Sequence, residues 1–307
     1  MKIYDCFLFN KELDLLKLRL QELYDYVDYF VLVESNKTFS GKSKKFIFEN
    51  NKERFNKWKD KIIHIKVENS PALNRFGEKI QRRVDRFNNK NFPINGLVIH
   101  LGVGRWKIQK FQRNAIIRGL KKADDSDIIL VSDLDEIPNP EKFSEMIELL
   151  KKENKVGFKQ KMFYYYLNGY VNDRWVGTTA TTFKNLKEKF KSESQNLRAS
   201  IFDSKTIKKI FRLKELKLVK KGGWHFSYLG SSKEIMEKIS TMSGTEAIKK
   251  LNWKIEEIEE IIKNNKFIHN RNEKINYVPV DDSFPEALRK NIKEYSHLIK
   301  NVRKRKK

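Results

Sequence analysis

Residues 127–140 read DIILVSDLDEIPNP, and the fold turns on this stretch. An apolar run at 128–131 stops abruptly at Ser132-Asp133-Leu134-Asp135-Glu136. Pro138 and Pro140 prevent any continuation, and Asn139-Pro140 reads as an N-cap followed by a first helical residue. The pattern is a buried strand whose C-terminal tip carries three carboxylates, Asp133, Asp135 and Glu136. Asp133 and Asp135 alternate with an apolar residue, so in an extended chain they project to the same side. Carboxylates so crowded repel one another unless a cation sits among them. Hard oxygen ligands suit Mg²⁺ or Mn²⁺, with a substrate phosphate completing the shell. An Asp-x-Asp before a turn also occurs as plain surface sequence. Position favours the functional reading, because ligands of open α/β sheets bind outside the carboxyl ends of the strands.

Working outward, residues 3–9 read as an aromatic-rich buried strand ended by Asn10. Leu13, Leu16, Leu20, Leu23 and Val27 recur at helical steps and predict a helix over 11–27. A second strand over 29–33 ends at Glu34-Ser35-Asn36. Strand, helix and strand in that order open a parallel α/β sheet. Glu34 then stands at a carboxyl edge like Asp133 and Asp135, either as a ligand-facing acid or as a solvated loop acid. A short helix is expected over 51–58 and a third strand over 62–67. Residues 70–104, basic and broken by Pro71 and Pro93, predict a long excursion over the active face. The helix expected over 106–122 carries Arg113, either a surface arginine or a fork donor to a phosphate.

Beyond the acidic tip, a helix over 141–151 and two antiparallel strands over 156–167 and 174–183 are expected. The aromatic cluster Phe163-Tyr164-Tyr165-Tyr166 with Tyr170 and Trp175 belongs to the core, or offers an outward platform for a sugar ring. In Gly222-Gly223-Trp224-His225-Phe226 the paired glycines allow a close backbone approach. His225 is either a half-buried strand histidine or an imidazole aimed at the cation. Ser231 and Glu234 have capping-box spacing, and helices follow at 235–242, 246–263 and 285–299.

The chain has 307 residues, enough for one large or two modest domains. Hydrophobic residues make up 39%, which marks a globular chain. The formal charge is 65 − 40 = +25, a field that attracts nucleic acid, acidic membrane or nucleotide-linked substrates. The lysines are spread over every segment, so compositional bias gives the same excess, and zinc-ligand spacings and RNP-type strands are absent. A lone cysteine, Cys6, excludes an internal disulfide. No stretch has the length of a membrane span or a signal peptide, so a soluble intracellular placement is expected.

The segments 5–23 (DCFLFNKELDLLKLRLQEL), 33–35 (VES), 132–138 (SDLDEIP) and 223–228 (GWHFSY) together resemble glycosyltransferase family 17 in order and rough spacing. The resemblance spans about residues 3–240 and is poor at 70–106 and 184–221. It implies an α/β fold of GT-A type: a Rossmann-like mixed sheet flanked by helices, with a catalytic domain over 1–245 and a helical C-terminal extension over 246–307. It implies a UDP-sugar donor, UDP-N-acetylglucosamine in that family, with Mn²⁺ or Mg²⁺ and inversion at the anomeric centre. Asp133 and Asp135 look like its DxD pair, Asp135 as the direct metal ligand and catalytic group, Asp133 on metal or ribose. His225 is implied as a further metal ligand or a diphosphate contact. Asn10 and Glu34 would flank the uracil, and Arg113 would sit near the diphosphate. Animal members carry an N-terminal membrane anchor that this sequence lacks, so a bacterial or viral type of enzyme is expected. Its acceptor would be a glycan, a lipid-linked or a protein-linked group. Peripheral contact with an anionic surface is compatible with the charge, and nucleic acid is not expected. The general base is left open among Asp173, Glu193 and Glu246. Other readings are another donor sugar, a retaining mechanism, or a basic nucleic-acid or anionic-surface binding module.

Overall fold

The structure is a computed structural model and describes residues 1–73, 76, 77, 79, 80, 103–200, 216–242, 254–268 and 270–302. Most of the excursion expected at 70–104, the candidate base Glu246 and the basic end at 303–307 lie outside the described residues.

β1 (Ile3–Phe9), α1 (Leu13–Leu23) and β2 (Tyr29–Ser35) form the expected opening unit. β1 and β2 are parallel, with Cys6 beside Val31 and Phe9 beside Glu34. α2 (Ile47–Asn51) and a 3₁₀ turn, Lys52–Trp58, lead to β3 (Ile62–Val67), which runs parallel to β2. α3 (Arg105–Asn114) and a second 3₁₀ turn, Ala115–Gly119, lead to β4 (Ile128–Asp133), parallel to β1. The four parallel strands therefore end at one edge, and Asp133 lies on it.

Strict alternation explains why these strands read as continuous apolar runs. Tyr4, Cys6, Leu8, Val31, Val33, Ile129 and Val131 face one side, with Ile116 and Leu120 over them. Phe7, Phe9, Phe30, Leu32, Ile128 and Leu130 face the other, covered by Leu15, Leu16 and Leu20 of α1. A parallel sheet covered on both faces has no polar side to show in the sequence.

The second half is mixed. β5 (Glu136–Pro138) is followed by α4 (Phe143–Leu150), β6 (Val156–Tyr164) and β7 (Gly169–Thr182). α5 (Phe183–Glu188), α6 (Ser194–Ala199), β8 (Lys217–Val219) and β9 (Gly223–Ser227) follow. The sheet order is β3-β2-β1-β4-β7-β6-β9-β5, with β8 also on β6. β4 and β5 are far apart in that order, yet only Leu134 and Asp135 separate them in sequence. With successive Cα atoms about 3.8 Å apart, the sheet has to curl until its last strand returns to the tip of β4. The acidic turn is the place where it closes. Gly223 permits the closure: its φ is +135°, and a Cβ there would lie 2.1 Å from the Ile137 carbonyl oxygen.

α7 (Ser232–Thr241) opens with the expected capping box between Ser231 and Glu234. With α8 (Ile255–Lys263) it forms a third apolar cluster, in which Ile235, Ile239, Ile258 and Ile261 meet Tyr164, Tyr165 and Tyr228. Phe163, Tyr164 and Tyr165 are thus core, not an outward platform.

The C-terminal segment carries strands as well as helices. β10 (Lys266–Phe267) and β11 (Asn270–Lys274) form a hairpin, and β12 (Asn276–Tyr277) pairs with β7. The helix expected over 285–299 is interrupted: α9 covers Glu286–Lys290, and a 3₁₀ turn, Ser296–Leu298, follows. Asn291 ends α9 by turning its side-chain amide back onto the Ala287 carbonyl, at 2.8 Å. Among the described residues no helix is long and apolar enough to cross a membrane.

Candidate active site

The site is built on a buried ion pair. Asp5 sits in the middle of β1 and Arg19 in α1, and both are wholly inaccessible. Arg19 grips Asp5 bidentately, Nε to Oδ2 at 2.7 Å and Nη2 to Oδ1 at 2.6 Å. Nη2 also donates to Ser132 Oγ at 2.6 Å. Nη1 donates to the carbonyls of Asp133, Leu134 and Glu136, at 3.1, 3.1 and 3.0 Å. One planar guanidinium thereby fixes the backbone of the acidic turn from beneath, a task that suits the arginine fork. The Phe226 amide holds the turn from the side by donating to the Asp135 carbonyl, at 2.8 Å.

The three carboxylates then part company. Glu136 is buried, and it accepts from Arg198, from Trp175 Nε1 at 2.9 Å and from the Asp133 amide at 3.0 Å. It is a structural anchor. Burial pushes its carboxyl up, against the pull of Arg198. Asp133 is partly exposed and pairs through Oδ1 with Arg113. Asp135 Oδ2 accepts from Lys238 Nζ of α7 at 2.9 Å, and His225 Nε2 lies 3.7 Å from the same oxygen. Burial alone would push the Asp135 carboxyl up, but Lys238 and His225 outweigh it and hold it well below the usual range. Burial likewise disfavours the Lys238 ammonium, but Asp135 and Glu12 outweigh it and raise its affinity for the proton. His225 stacks on Trp175, with centroids 4.5 Å apart, and its buried Nδ1 has no hydrogen-bond partner among the described residues.

Asp133 and Asp135 open into a cleft at the carboxyl edge of the parallel strands. Phe9 and Asn10 from the end of β1, Thr38 and Phe39 from the loop after β2, and Gln112 of α3 form its walls. Lys37, Lys44 and Lys238 face the carboxylates of Glu12, Asp133 and Asp135 there, so its charged lining is balanced. Lys44 is tied to it by donating to the Asn10 carbonyl at 3.0 Å.

Two expected residues are placed elsewhere. Glu34 does not line the cleft. Its carboxylate is fully buried and accepts from the Phe48 amide at 2.9 Å and the Glu49 amide at 3.4 Å, at the start of α2, with His64 Nε2 at 3.2 Å. Those orphan helix donors absorb the oxygens that a uracil would need. Arg113 does not reach outward either. It is buried, and its fork is taken by Asp133 and by Gln195 Oε1 at 2.7 Å, so it orients Asp133 rather than a phosphate. Among the base candidates, Asp173 accepts from Tyr170 and lines a separate cavity beside Trp224, and Glu193 pairs with Lys110 at 2.8 Å.

The residues that sequence reading missed are Asp5, Arg19, Glu12, Lys238 and Arg198. Signals existed for three of them. Asp5 interrupts an apolar strand, Arg19 interrupts a leucine-rich helix, and Lys238 lies on the Ile235–Ile239 face of α7.

Among the described residues no three His, Cys, Asp or Glu side chains cluster as a ready metal cage. What is present is the Asp135 carboxylate facing His225 Nε2, while the other ring nitrogen, Nδ1, is buried and has no hydrogen-bond partner among the described residues. That donor set fits a hard cation that arrives with phosphate ligands and takes only one or two side chains from the protein.

In comparison with known proteins, the family model described as glycosyltransferase family 17 matches residues 1–299. No curated protein matches the chain. Among solved structures, the chain is similar to the 2-C-methyl-D-erythritol 4-phosphate cytidylyltransferase of Francisella tularensis, at 12% identity and a TM-score of 0.39. That match covers 79% of this chain and 100% of the other.

Proposed function

The chain belongs to glycosyltransferase family 17, and from that premise we propose that the cleft binds a UDP-sugar and transfers the sugar, N-acetylglucosamine by resemblance, to a hydroxyl of a glycan, a lipid-linked or a protein-linked acceptor, with inversion. The observation that supports this reading is the pairing of Asp133 and Asp135 with Lys37, Lys44 and Lys238 in one cleft at the carboxyl edge of the sheet. Acids and bases together suit a diphosphate bound through both a cation and ammonium groups. A phosphate-backbone binder has no use for two carboxylates in its groove.

Each group has a task in this reading. Phe39 gives an apolar wall for the base, and Asn10 supplies polar groups at its edge. The loss of Glu34 to α2 means that uracil is read by other groups of the cleft. Asp135, with His225 beside it, would hold Mn²⁺ or Mg²⁺, and Asp133, oriented by Arg113, would contact the metal or the ribose. Such a cation, when bound, stabilises negative charge on the leaving diphosphate. Lys238, already pressed against Asp135, can serve the same charge from the protein side. The buried Arg19 keeps the turn from relaxing as charge develops, so little reorganisation is needed.

The test is differential scanning fluorimetry with a panel of nucleotide sugars, with Mn²⁺ or with EDTA, followed by turnover of the donor that binds. A Mn²⁺-dependent shift with UDP-N-acetylglucosamine is expected. Asp135→Ala should lose that shift and reduce turnover by about 10²-fold or more. Turnover at the wild-type rate in Asp135→Ala would sink the assignment, and retention in the product, read by NMR of its anomeric proton, would reject inversion alone.

A further inference from the structure

We propose that a second cavity, beside the donor cleft, is the acceptor site and that Glu12, whose side chain lines both, is the general base; this rests on the donor reading of the first cleft. The second cavity has a volume of about 580 Å³, within the ~300–1,000 Å³ that small-molecule sites occupy. It therefore takes a short stretch of glycan rather than an ion. Glu12 and Lys238 are the residues common to the two linings. A hydroxyl held in one space thus borders the sugar held in the other.

The chemistry of the walls fits a carbohydrate. The partly buried ring of Tyr166 packs edge-on against Tyr277, at 5.7 Å between centroids, and lines the cavity. Around it stand Lys11, Arg54, Asp14 and His297, side chains that can donate to and accept from hydroxyls. Asp14 holds His297 at 3.0 Å and Arg54 at 3.9 Å, so the polar rim is mutually braced.

Elimination leads to Glu12. Of the described carboxylates lining the donor cleft, Asp133 and Asp135 are engaged with the donor in this reading. In the second cavity Glu234 is committed to the capping box of α7, and Asp14 does not reach the donor cleft. Glu12 Oε2 accepts from the Lys11 amide at 3.0 Å, and Oε1 lies 3.7 Å from Lys238 Nζ. The ammonium that touches Asp135 at 2.9 Å thus also faces Glu12. In the step, the acceptor oxygen forms a bond to the anomeric carbon. The bond from that carbon to the β-phosphate oxygen breaks, and its electron pair stays on the leaving diphosphate. The hydroxyl proton passes to the Glu12 carboxylate.

The experiment compares the wild type with Glu12→Gln and with the cavity-filling variant Leu13→Trp. Calorimetry gives UDP affinity with Mn²⁺, and UDP release from UDP-N-acetylglucosamine in water reads the base with water as acceptor. Saturation-transfer NMR with methyl β-glycosides of glucose, galactose, mannose and N-acetylglucosamine reads the cavity. Glu12→Gln is expected to keep UDP affinity within about threefold while UDP release falls by ~10²–10⁴-fold, the usual worth of a general base. At least one glycoside should give signals with the wild type and lose them in Leu13→Trp, whose retained UDP affinity shows an intact fold. UDP release by Glu12→Gln at the wild-type rate overturns the role of Glu12. Glycoside signals that are absent from the wild type, or that persist in Leu13→Trp, overturn the cavity assignment. A wild type that binds no UDP instead removes the donor reading beneath both.

Discussion

The residue on which most depends is Arg19. It satisfies one buried carboxylate, one hydroxyl and three carbonyls of the acidic turn. Removing one partner of a fully buried pair leaves the other charged and unpaired, at a cost of about 3–5 kcal/mol. Arg19→Met is therefore expected to lose about that much in urea denaturation. The double variant Asp5→Leu with Arg19→Met should recover part of the loss, since no charge is stranded. It should not recover all of it, because the carbonyls of Asp133 and Leu134 lose the donor that Arg19 supplied, whereas that of Glu136 keeps Thr178 Oγ1 at 3.0 Å. Its Mn²⁺-dependent thermal shift with UDP-N-acetylglucosamine should also stay weak. A double variant with wild-type stability and a wild-type shift would mean that the pair merely fills space. Asp133 and Asp135 were legible in the sequence because two acids abutting an apolar run need no partner to be noticed. Arg19 shows in the sequence only as an interruption of a leucine-rich helix, because its meaning lies in contacts with residues more than 110 positions away.

At the scale of elements, periodicity located what is local and missed what is not. β1 and β3 fall where their apolar runs predict, and the capping box starts α7 at Ser231. The curl of the sheet was not legible, since β5 is three residues long and its partner β9 lies more than 80 residues on. The shortened α9 has the same origin. It is held not by its own pattern but by Glu22 of α1, whose Oε2 accepts from the Ala287 amide at 2.8 Å. Burial raises the Glu22 carboxyl above its ordinary 4.5, although the Ala287 and Glu286 amides pull it down. A carboxyl raised in the folded state contributes stability that is full below pH 4.5 and is lost as pH rises through the folded value. Glu22→Gln keeps an acceptor for Ala287 and removes the titration. Wild type should therefore gain stability relative to Glu22→Gln as pH falls from about 7 to about 5. Urea midpoints at the two pH values check this, and parallel behaviour of the two proteins would contradict it.

For the whole molecule the question is what a charge of +25 is for. The described part of the C-terminal segment is joined to the main sheet. β12 extends the main sheet, and Asn168 clamps the chain near its end, donating to the carbonyls of Val278 and Lys300 at 3.0 and 2.9 Å. The family match runs correspondingly through residue 299. Residues 303–307, RKRKK, carry +5 of the excess beyond the family match, and the rest is spread along the chain. In the cleft the charges balance, Lys37, Lys44 and Lys238 against Glu12, Asp133 and Asp135, so the excess acts as a long-range field around it. A field of this kind raises the capture rate of a polyanionic donor more than it alters the bound complex. Salt screens the long-range part first, because the Debye length is about 10 Å at 0.1 M and shorter above it. Raising NaCl from about 50 to about 300 mM should lower kcat/KM for the UDP-sugar by roughly three- to tenfold. kcat should change by less than about twofold, because ion pairs as buried as Lys238 with Asp135 are screened little. Steady-state kinetics at fixed Mn²⁺ across that salt series separates the two effects. A kcat that falls in step with kcat/KM would mean that the charge acts on the bound state, and an unchanged kcat/KM would mean that the lysines outside the cleft have no part in donor capture.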